Sequence, residues 1–328
     1  MNTISLIVLL DPDTYIYIGW GVMLLLTTVC GLSWYFIKHR KLLYGLSVVV
    51  MLLWGAFLYG SYIGVNQLEV KHIELAFDDL PDAFDDYKIV QFSDVHIGTL
   101  TGWRHQLLEH MIDSINAQCA DIVVFTGDMQ NKVPDEIFPD TALLAKIKAK
   151  DGVCSVLGNH DYAMYVNGLN EFEQYTNLGL RMSIDHDLGW HLLVNGRHKV
   201  RRGGQYIVIA GMDNDGDGMR FPQNGDISYA LNGIKRSDFV VMLEHDPSSW
   251  KRKILPHSHT QLTLTGHTHG GQFSIFGWSL ASLKYKENSG LYNEGGRYLY
   301  VSNGISGVVP FRFGVPPEIT VITLRKKK

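Results

Sequence analysis

The distribution of hydrophobic residues changes sharply near residue 66. Two long segments before that point, residues 15–37 and 42–65, carry no charged side chain. Each is longer than the ~20 residues that a helix needs to cross the hydrocarbon core of a bilayer. A soluble helix of this length would present a polar face, and neither segment has one. We therefore predict a two-helix membrane anchor over residues 1–66.

A short basic turn, residues 38–41, separates the two hydrophobic segments. Loops rich in lysine and arginine remain on the cytoplasmic side of a membrane. The turn therefore predicts a multi-pass protein of the cell (inner) membrane, with the domain that follows lying outside the cytoplasm.

From residue 67 to residue 328 the pattern becomes that of an α/β domain. Short apolar runs rich in β-branched residues predict buried strands at 88–92, 122–126 and 153–157. Apolar residues at helical spacing predict helices between them, at 103–115 and 138–149. This alternation predicts parallel strands joined by helical crossovers.

The second half of the domain is richer in strands. They are predicted at 189–194, 206–210, 239–243, 261–265, 298–301 and 319–324. We therefore expect one domain of two sheets packed face to face, with helices outside them.

Short polar clusters follow several of the predicted strands. In order they are Asp94-Val95-His96, Gly127-Asp128, Gly158-Asn159-His160-Asp161, Glu244-His245-Asp246 and Gly266-His267-Thr268-His269. Open α/β sheets place their ligand sites at the carboxyl ends of their strands. We therefore expect these clusters to meet at one edge of the fold.

The chemistry of the clusters is that of a two-metal hydrolase. Asp, His and Asn recur in them, while no Ser or Cys nucleophile is framed by a base. A carboxylate can bridge two divalent ions, and mixed nitrogen and oxygen ligands suit manganese, iron and zinc alike. The near balance of 29 basic and 33 acidic residues argues against broad nucleic-acid binding.

Taken together, the clusters resemble the calcineurin-like metallophosphoesterase family, whose pattern is D-x-H, GD, GNH-[DE], a later His and G-H-x-H. All of these motifs occur in order across residues 88–272. Residues 89–98, 266–272 and 310–318 look like a bacterial, membrane-associated branch of that family. The branch includes phosphodiesterases and the UDP-2,3-diacylglucosamine pyrophosphatase of lipid A synthesis. The resemblance implies a four-layer α-β-β-α sandwich.

The resemblance also implies two divalent metal ions. The first would be held by Asp94, His96, Asp128 and His269, and the second by Asp128, Asn159, His245 and His267. His160 would not bind metal but would donate a proton to the leaving group, oriented by Asp161. The implied reaction is attack on phosphorus by a hydroxide that bridges the metals.

The leading hypothesis is a membrane-anchored phosphohydrolase that cleaves a phosphodiester or pyrophosphate bond. Its partners would be a phosphorylated substrate, lipid-linked in one version, and the lipid bilayer. UDP-2,3-diacylglucosamine hydrolysis is a specific alternative, but that precursor is made on the cytoplasmic side and conflicts with an outward-facing domain. A phosphomonoesterase or phosphoprotein phosphatase would use the same metals. A receptor or scaffold without catalysis is the non-enzyme alternative, against which the intact His160 argues.

Three further features have open interpretations. The aromatic-rich segment 273–292 is either a cover over the core or a lip that touches the bilayer or an acyl chain, with Trp278 contacting the substrate. Arg312 either binds a phosphate oxygen or braces the turn before Pro316. Residues 213–218 match the start of a calcium loop, but Asn224 stands where a bidentate Glu is required, so we interpret them as an acidic turn.

Overall fold

The computed structural model describes residues 10–218 and 221–327, and the first nine residues of the predicted anchor lie outside this part. Two long helices come first, α1 (Pro12–Phe36) and α2 (Arg40–Leu58). Asp11 begins α1, because its side chain accepts a hydrogen bond from the backbone N–H of Asp13 at 2.9 Å. Both helices are long and apolar enough to cross a membrane, and most of their side chains are exposed.

A π-helical turn (Tyr59–Ile63) and a 3-10 turn (Gly64–Asn66) connect α2 to the strands of the domain. The strands are β1 (Glu69–Phe77), β2 (Tyr87–Phe92), β3 (Ile122–Phe125), β4 (Val153–Ser155), β5 (His191–Leu192), β6 (Gly196–Arg202), β7 (Gln205–Gly211), β8 (Val240–Leu243), β9 (Leu262–Thr265), β10 (Ser274–Ile275), β11 (Trp278–Ser279), β12 (Gly290–Glu294), β13 (Arg297–Val301) and β14 (Glu318–Lys326).

These strands form two six-stranded sheets and a small hairpin. The first sheet has the order β1-β14-β2-β3-β4-β5, in which β2 to β5 are parallel. The second has the order β12-β13-β9-β8-β7-β6, in which β13, β9, β8 and β7 are parallel. The hairpin pairs β10 with β11. The parallel strands therefore deliver their carboxyl ends to a common edge of each sheet.

The helices of the domain lie outside the two sheets. They are α3 (Gln106–Ala117), α4 (Thr141–Leu144), α5 (Glu171–Asp187), α6 (Ile227–Ala230) and α7 (Leu255–His257). One apolar core, which includes Val124 and Val241, fills the space between the sheets. A second lies under α3 and α5, and a third lies under α6 and the turn at Trp250. The predicted four-layer α-β-β-α sandwich is confirmed.

Two helical segments differ from the prediction. The helix expected over 138–149 shrinks to α4, since Pro139 has no N–H to donate and stands in a 3-10 turn just before it. Helix α5 was not predicted, because only Arg181, Ile184 and Asp185 of it are buried, and its apolar stripe is thin. Its sequence signal is the capping box at Asn170.

Candidate metal centre

The predicted ligands follow strands at the carboxyl edges of both sheets. Asp94 and His96 follow β2, Asp128 follows β3, and Asn159 follows β4 in the first sheet. In the second sheet His245 follows β8, and the pair His267 and His269 follows β9. Because the sheets face each other, loops from both meet over the top of the core between them.

Three overlapping groups of side chains have ligand atoms within 4.8 Å of one another. They are Asp94, His96 and His269; His96, Asp128 and His160; and Asp128, His245 and His267. Each group could hold a metal ion, and together they include six of the seven predicted ligands. Asn159, the seventh, lies between Gly158, whose N–H donates to the Asp161 carboxylate at 2.9 Å, and His160, whose N–H donates to Asp128 at 2.8 Å.

Asp128 is central to the cluster. Its Oδ2 lies 3.6 Å from Nε2 of His96 and 3.1 Å from Nε2 of His245. Nε2 of His245 in turn lies 3.2 Å from Nδ1 of His267, so two imidazole nitrogens approach one another. On the other side Nε2 of His269 lies 3.7 Å from Oδ1 of Asp94. The Asp128 carboxylate thus stands between two sets of donors.

Several buried polar atoms fit a cation. Both ring nitrogens of His96 and the Oδ1 of Asn159 have no hydrogen-bond partner within residues 10–218 and 221–327. An unsatisfied buried polar atom costs roughly 1–3 kcal/mol, so such atoms mark positions that are suited to binding a metal ion. The amide of Asn159 is fixed by donation to the hydroxyl of Tyr165 at 2.8 Å, which leaves its oxygen as the ligand atom.

Burial controls the protonation of the donors. It raises the pKa of Asp94 to about 7, with a further contribution from the nearby Asp128 carboxylate. It lowers the pKa of His96 and of His269 well below the usual value, and so favours the neutral imidazole that binds metals. Burial also acts to lower the pKa of His245, but the adjacent Asp128 outweighs it and raises that pKa.

The backbone of the cluster is strained. Left-handed φ angles occur at Asp94 (52°), His96 (41°), Asp128 (61°), His267 (71°) and His269 (52°). Non-glycine residues in this region cost on the order of 1–3 kcal/mol each and collect at functional sites. The strain is therefore a signal of function that is independent of the residue types.

His160 and Asp161 do not contact each other in the predicted way. The Nδ1 of His160 lies 2.7 Å from the carbonyl oxygen of Asn131, which orients the ring. The Asp161 carboxylate instead accepts hydrogen bonds from the backbone N–H groups of Asp128 (3.0 Å), Met129 (3.1 Å) and Gly158 (2.9 Å). Asp161 thus joins two ligand-bearing loops and Asn131 contacts the imidazole, while the catalytic roles of His160 and Asp161 remain predictions.

Two residues near the site were missed from the sequence. Arg181 of α5 donates from Nε to Oδ1 of Asp161 at 3.0 Å and pairs with Asp185, and all three side chains are fully buried. Tyr285 places its hydroxyl 2.8 Å from Nε2 of His267. The spacing of Arg181 and Asp185 by four residues indicates a helical pair, but it does not show that the pair is buried.

Arg312 has the second of its two predicted roles. Its guanidinium is buried and donates to the backbone carbonyls of five residues, namely Asn303, Gly304, Ser306, Val315 and Pro316. It braces the final turn, its Nε has no hydrogen-bond partner among the residues that the structure describes, and the contact with a phosphate oxygen remains a prediction. Trp278 lies half exposed on β11, and its predicted contact with a substrate remains a prediction.

Most of the acidic segment after β7 is built into the protein, because residues 213–216 are buried, whereas Asp217 and Gly218 are exposed. Asp215 is buried, with its carboxylate 2.7 Å from a guanidinium nitrogen of Arg252 and 2.6 Å from Nζ of Lys253. Asp213 accepts a hydrogen bond from the hydroxyl of Tyr162. These partners neutralise the buried carboxylate of Asp215.

Similarity to known proteins places the chain in a family. Residues 87–271 match the family model described as calcineurin-like phosphoesterase. The chain is 30% identical over 280 residues to "Uncharacterized metallophosphoesterase YkuE" of Bacillus subtilis, which covers 83% of this chain and 90% of that protein. With this match and with metal-ligating clusters at the strand ends, the chain belongs to the calcineurin-like phosphoesterases and is a metal-dependent phosphoesterase. The prediction of an enzyme is confirmed.

Two further similarities are to a relative and to a solved structure. The chain is 28% identical over 280 residues to "Transmembrane protein with metallophosphoesterase domain" of Danio rerio, with 82% of this chain and 60% of that protein covered. The crystal structure of TT1561 from Thermus thermophilus covers 67% of this chain and 90% of its own, at 12% identity and a TM-score of 0.42.

Proposed function

We propose that the protein is a membrane-anchored phosphohydrolase with two metal ions, which cleaves a phosphodiester or pyrophosphate bond. The observation that carries this proposal is the position of Asp128, whose Oδ2 lies within 3.6 Å of His96 on one side and 3.1 Å of His245 on the other. A carboxylate between two donor sets is the arrangement that a bridging ligand requires.

The side chains divide into two ligand sets around this carboxylate. Asp94, His96 and His269 complete the first set, and Asn159, His245 and His267 complete the second. Mixed nitrogen and oxygen donors of this kind accept manganese, iron or zinc. When bound, such metals would supply a nucleophile from water at neutral pH and would offset the charge of the phosphoryl group.

His160 has the geometry of a proton donor. Its Nδ1 faces the carbonyl oxygen of Asn131, which can only accept, so this nitrogen carries the hydrogen and Nε2 is the atom left for the substrate. When the ring is protonated, Nε2 can give a proton to the departing alkoxide. The backbone N–H of His160 donates to Asp128 at 2.8 Å, which fixes the ring beside the predicted bridging ligand.

A cavity next to this loop supports a substrate with an organic group on each side of the phosphate. It has a volume of about 380 Å³ and is lined by Tyr162, Met164, Tyr175, Leu178 and Pro222, among others. Tyr162, which lines the cavity, follows the predicted proton donor His160 by two residues. A phosphomonoester carries an organic group on one side of the phosphate only and would not need this second space.

The deciding experiment compares hydrolysis of bis-p-nitrophenyl phosphate and p-nitrophenyl phosphate by the detergent-solubilised chain with manganese. Faster turnover of the diester supports the proposal. Faster turnover of the monoester would replace it with the phosphomonoesterase or phosphoprotein phosphatase alternative. Chelator-treated protein is the control, because metal-independent turnover would come from a contaminant.

We further propose that α1 and α2 span the cell (inner) membrane and that the domain lies outside the cytoplasm. The basic residues 38–41 between the helices support this orientation. Alkaline phosphatase fused to the carboxyl terminus is expected to be active, since it matures only outside the cytoplasm. A fluorescent fusion partner that matures only in the cytoplasm should stay dark, and the reverse result would make UDP-2,3-diacylglucosamine the first substrate to test.

A further inference from the structure

An exposed apolar segment lies directly after the metal-binding histidines. Within residues 275–283, Phe276 is fully exposed and Leu283 is 76% exposed, while Ile275, Trp278 and Leu280 are each at least 41% exposed. Five large apolar side chains within nine residues form a patch that a soluble surface rarely carries. Such a patch marks a surface that is covered by something apolar.

The segment is fastened next to the end of the second membrane helix. Phe273, just before β10, stacks on Phe313 with ring centroids 5.7 Å apart, and the N–H of Ser274 donates to the carbonyl of Phe313 at 2.8 Å. Phe313 in turn packs edge-on against Tyr59, at 5.6 Å between centroids. The hairpin of β10 and β11 therefore lies beside the residue at which α2 ends.

The start of α1 and the segment just beyond α2 both contact loops next to the site. Asp13, at the start of α1, pairs with Arg104 at 2.9 Å. Tyr62, just beyond α2, stacks on Trp103 at 5.9 Å between centroids. These loop residues follow the ligands of β2, so the edge of the sandwich that bears the site faces the side of the membrane on which α1 begins and α2 ends.

The same segment returns from its apolar tip to the metal centre. Ser279 donates to the carbonyl of Gly270 at 2.6 Å, and Tyr285 reaches His267 through its hydroxyl. Between tip and site stands Lys284, whose Nζ donates to the Tyr285 hydroxyl at 2.9 Å. The order of apolar tip, lysine and metal ligands matches the order of acyl chains, charged headgroups and water at a bilayer surface.

We propose that residues 275–283 insert into the bilayer interface and that the metal centre acts on the phosphoester of an amphiphile held in that bilayer. This inference rests on the proposed function, because it assigns the substrate class of the same site. The bilayer is the occupant that the geometry favours, since the hairpin that carries the patch lies beside the end of α2.

Insertion can be measured without any activity. The chain carrying Phe276→Cys and Cys119→Ser, labelled with an environment-sensitive fluorophore, is placed in nanodiscs that contain spin-labelled phospholipid. Cys119 is the exposed native cysteine, whereas Cys30 and Cys154 are buried. The control label replaces exposed Lys148, which precedes β4 at the opposite edge of the first sheet.

Strong quenching at position 276 with little at position 148 is the expected result. Equal quenching at both positions, or none at position 276, would overturn insertion. A fluorescence change at position 276 that comes from contact with a second copy of the chain, and not from the spin-labelled lipid, would also overturn insertion.

Substrate class is tested by turnover of two chromogenic diesters. One is water-soluble bis-p-nitrophenyl phosphate, and the other is p-nitrophenyl hexadecyl phosphate carried in phosphatidylcholine vesicles. In the Phe276→Ser/Leu283→Ser double variant, vesicle turnover should fall about tenfold, since two apolar side chains that would enter the bilayer interface are lost, while soluble turnover stays unchanged. Tyr229→Ser, a 63% exposed side chain on α6, is the matched control and should alter neither rate.

The outcomes separate the two proposals. If the unaltered chain hydrolyses neither the vesicle diester nor the soluble diester, the proposed function fails. If it hydrolyses either diester but the double variant loses both rates equally, or neither, the inference about the bilayer alone is overturned.

Discussion

Arg181 and Asp161 form an ion pair with 3.0 Å between Nε and Oδ1, and neither side chain is exposed to solvent. The same Oδ1 of Asp161 accepts the backbone N–H of Met129, and its Oδ2 accepts those of Asp128 and Gly158. Helix α5 therefore supports, through a single carboxylate, the loops that carry the predicted bridging aspartate and the predicted proton donor.

Arg181→Met should destabilise the chain and weaken metal binding together. Removing one partner from a buried ion pair costs about 3–5 kcal/mol, because the remaining charges of Asp161 and Asp185 lose their compensation. The free energy of unfolding in denaturant measures the first effect, and manganese titration measures the second. Arg236→Met, at an exposed position, is the control, and an equal effect of both substitutions would contradict the role of the pair.

His160→Gln and Asp128→Asn should separate catalysis from metal binding. We expect His160→Gln to retain metal and to lose about 10²–10⁴-fold in kcat, the usual contribution of general acid catalysis. Asp128→Asn should lose metal as well as turnover, because the shared carboxylate is gone. Metal analysis of the purified variants beside kcat measurements checks both, and equal metal loss in the two variants would refute the division of roles.

Gly158→Ala should disrupt the site through a steric clash. A Cβ at this position would lie 2.2 Å from Oδ1 of Asp128, and the backbone on both sides is fixed by hydrogen bonds. We expect a loss of stability of about 1–3 kcal/mol, typical of overpacking, and a loss of metal affinity. Gly179→Ala is the matched control in α5, where a Cβ meets nothing within 4 Å and should stabilise the helix by about 0.5–1 kcal/mol. Unfolding curves of the two variants should shift in opposite directions.

Tyr285→Phe should lower metal affinity while the fold stays intact. The hydroxyl lies 2.8 Å from Nε2 of His267 and so holds the ring with Nδ1 toward His245. Loss of such an outer hydrogen bond to a ligand typically costs 10–100-fold in affinity. The metal affinity is measured by titrating manganese with diester hydrolysis as the readout. Tyr229→Phe on the outer surface serves as the comparison. Unchanged affinity would mean that the bond does not orient the imidazole.

The predictable part of this protein is the part that depends on strand order. Asp94, Asp128 and His245 follow apolar runs, and parallel strands must bring their ends together, so sequence alone could place them in one site. The partners Arg181, Asn131 and Tyr285 follow no such rule. They reach the site through tertiary packing of a helix and two loops, which spacing along the chain does not encode. Arg312 shows the same limit, because only its backbone contacts reveal that it braces a turn.

The helical pair that we propose as a membrane anchor also makes close contacts with the domain. Gly60 approaches the ring of Phe311 so closely that a Cβ there would lie 2.3 Å from it, and its carbonyl accepts the N–H of Arg312. A chain shortened to begin at residue 67 would leave Phe311, Phe313 and Trp103 facing water beside the catalytic loops. Residues 10–66 thus cover one face of the domain in addition to their proposed role as a membrane anchor, and a truncated enzyme prepared for solubility would be prone to aggregate through that uncovered face.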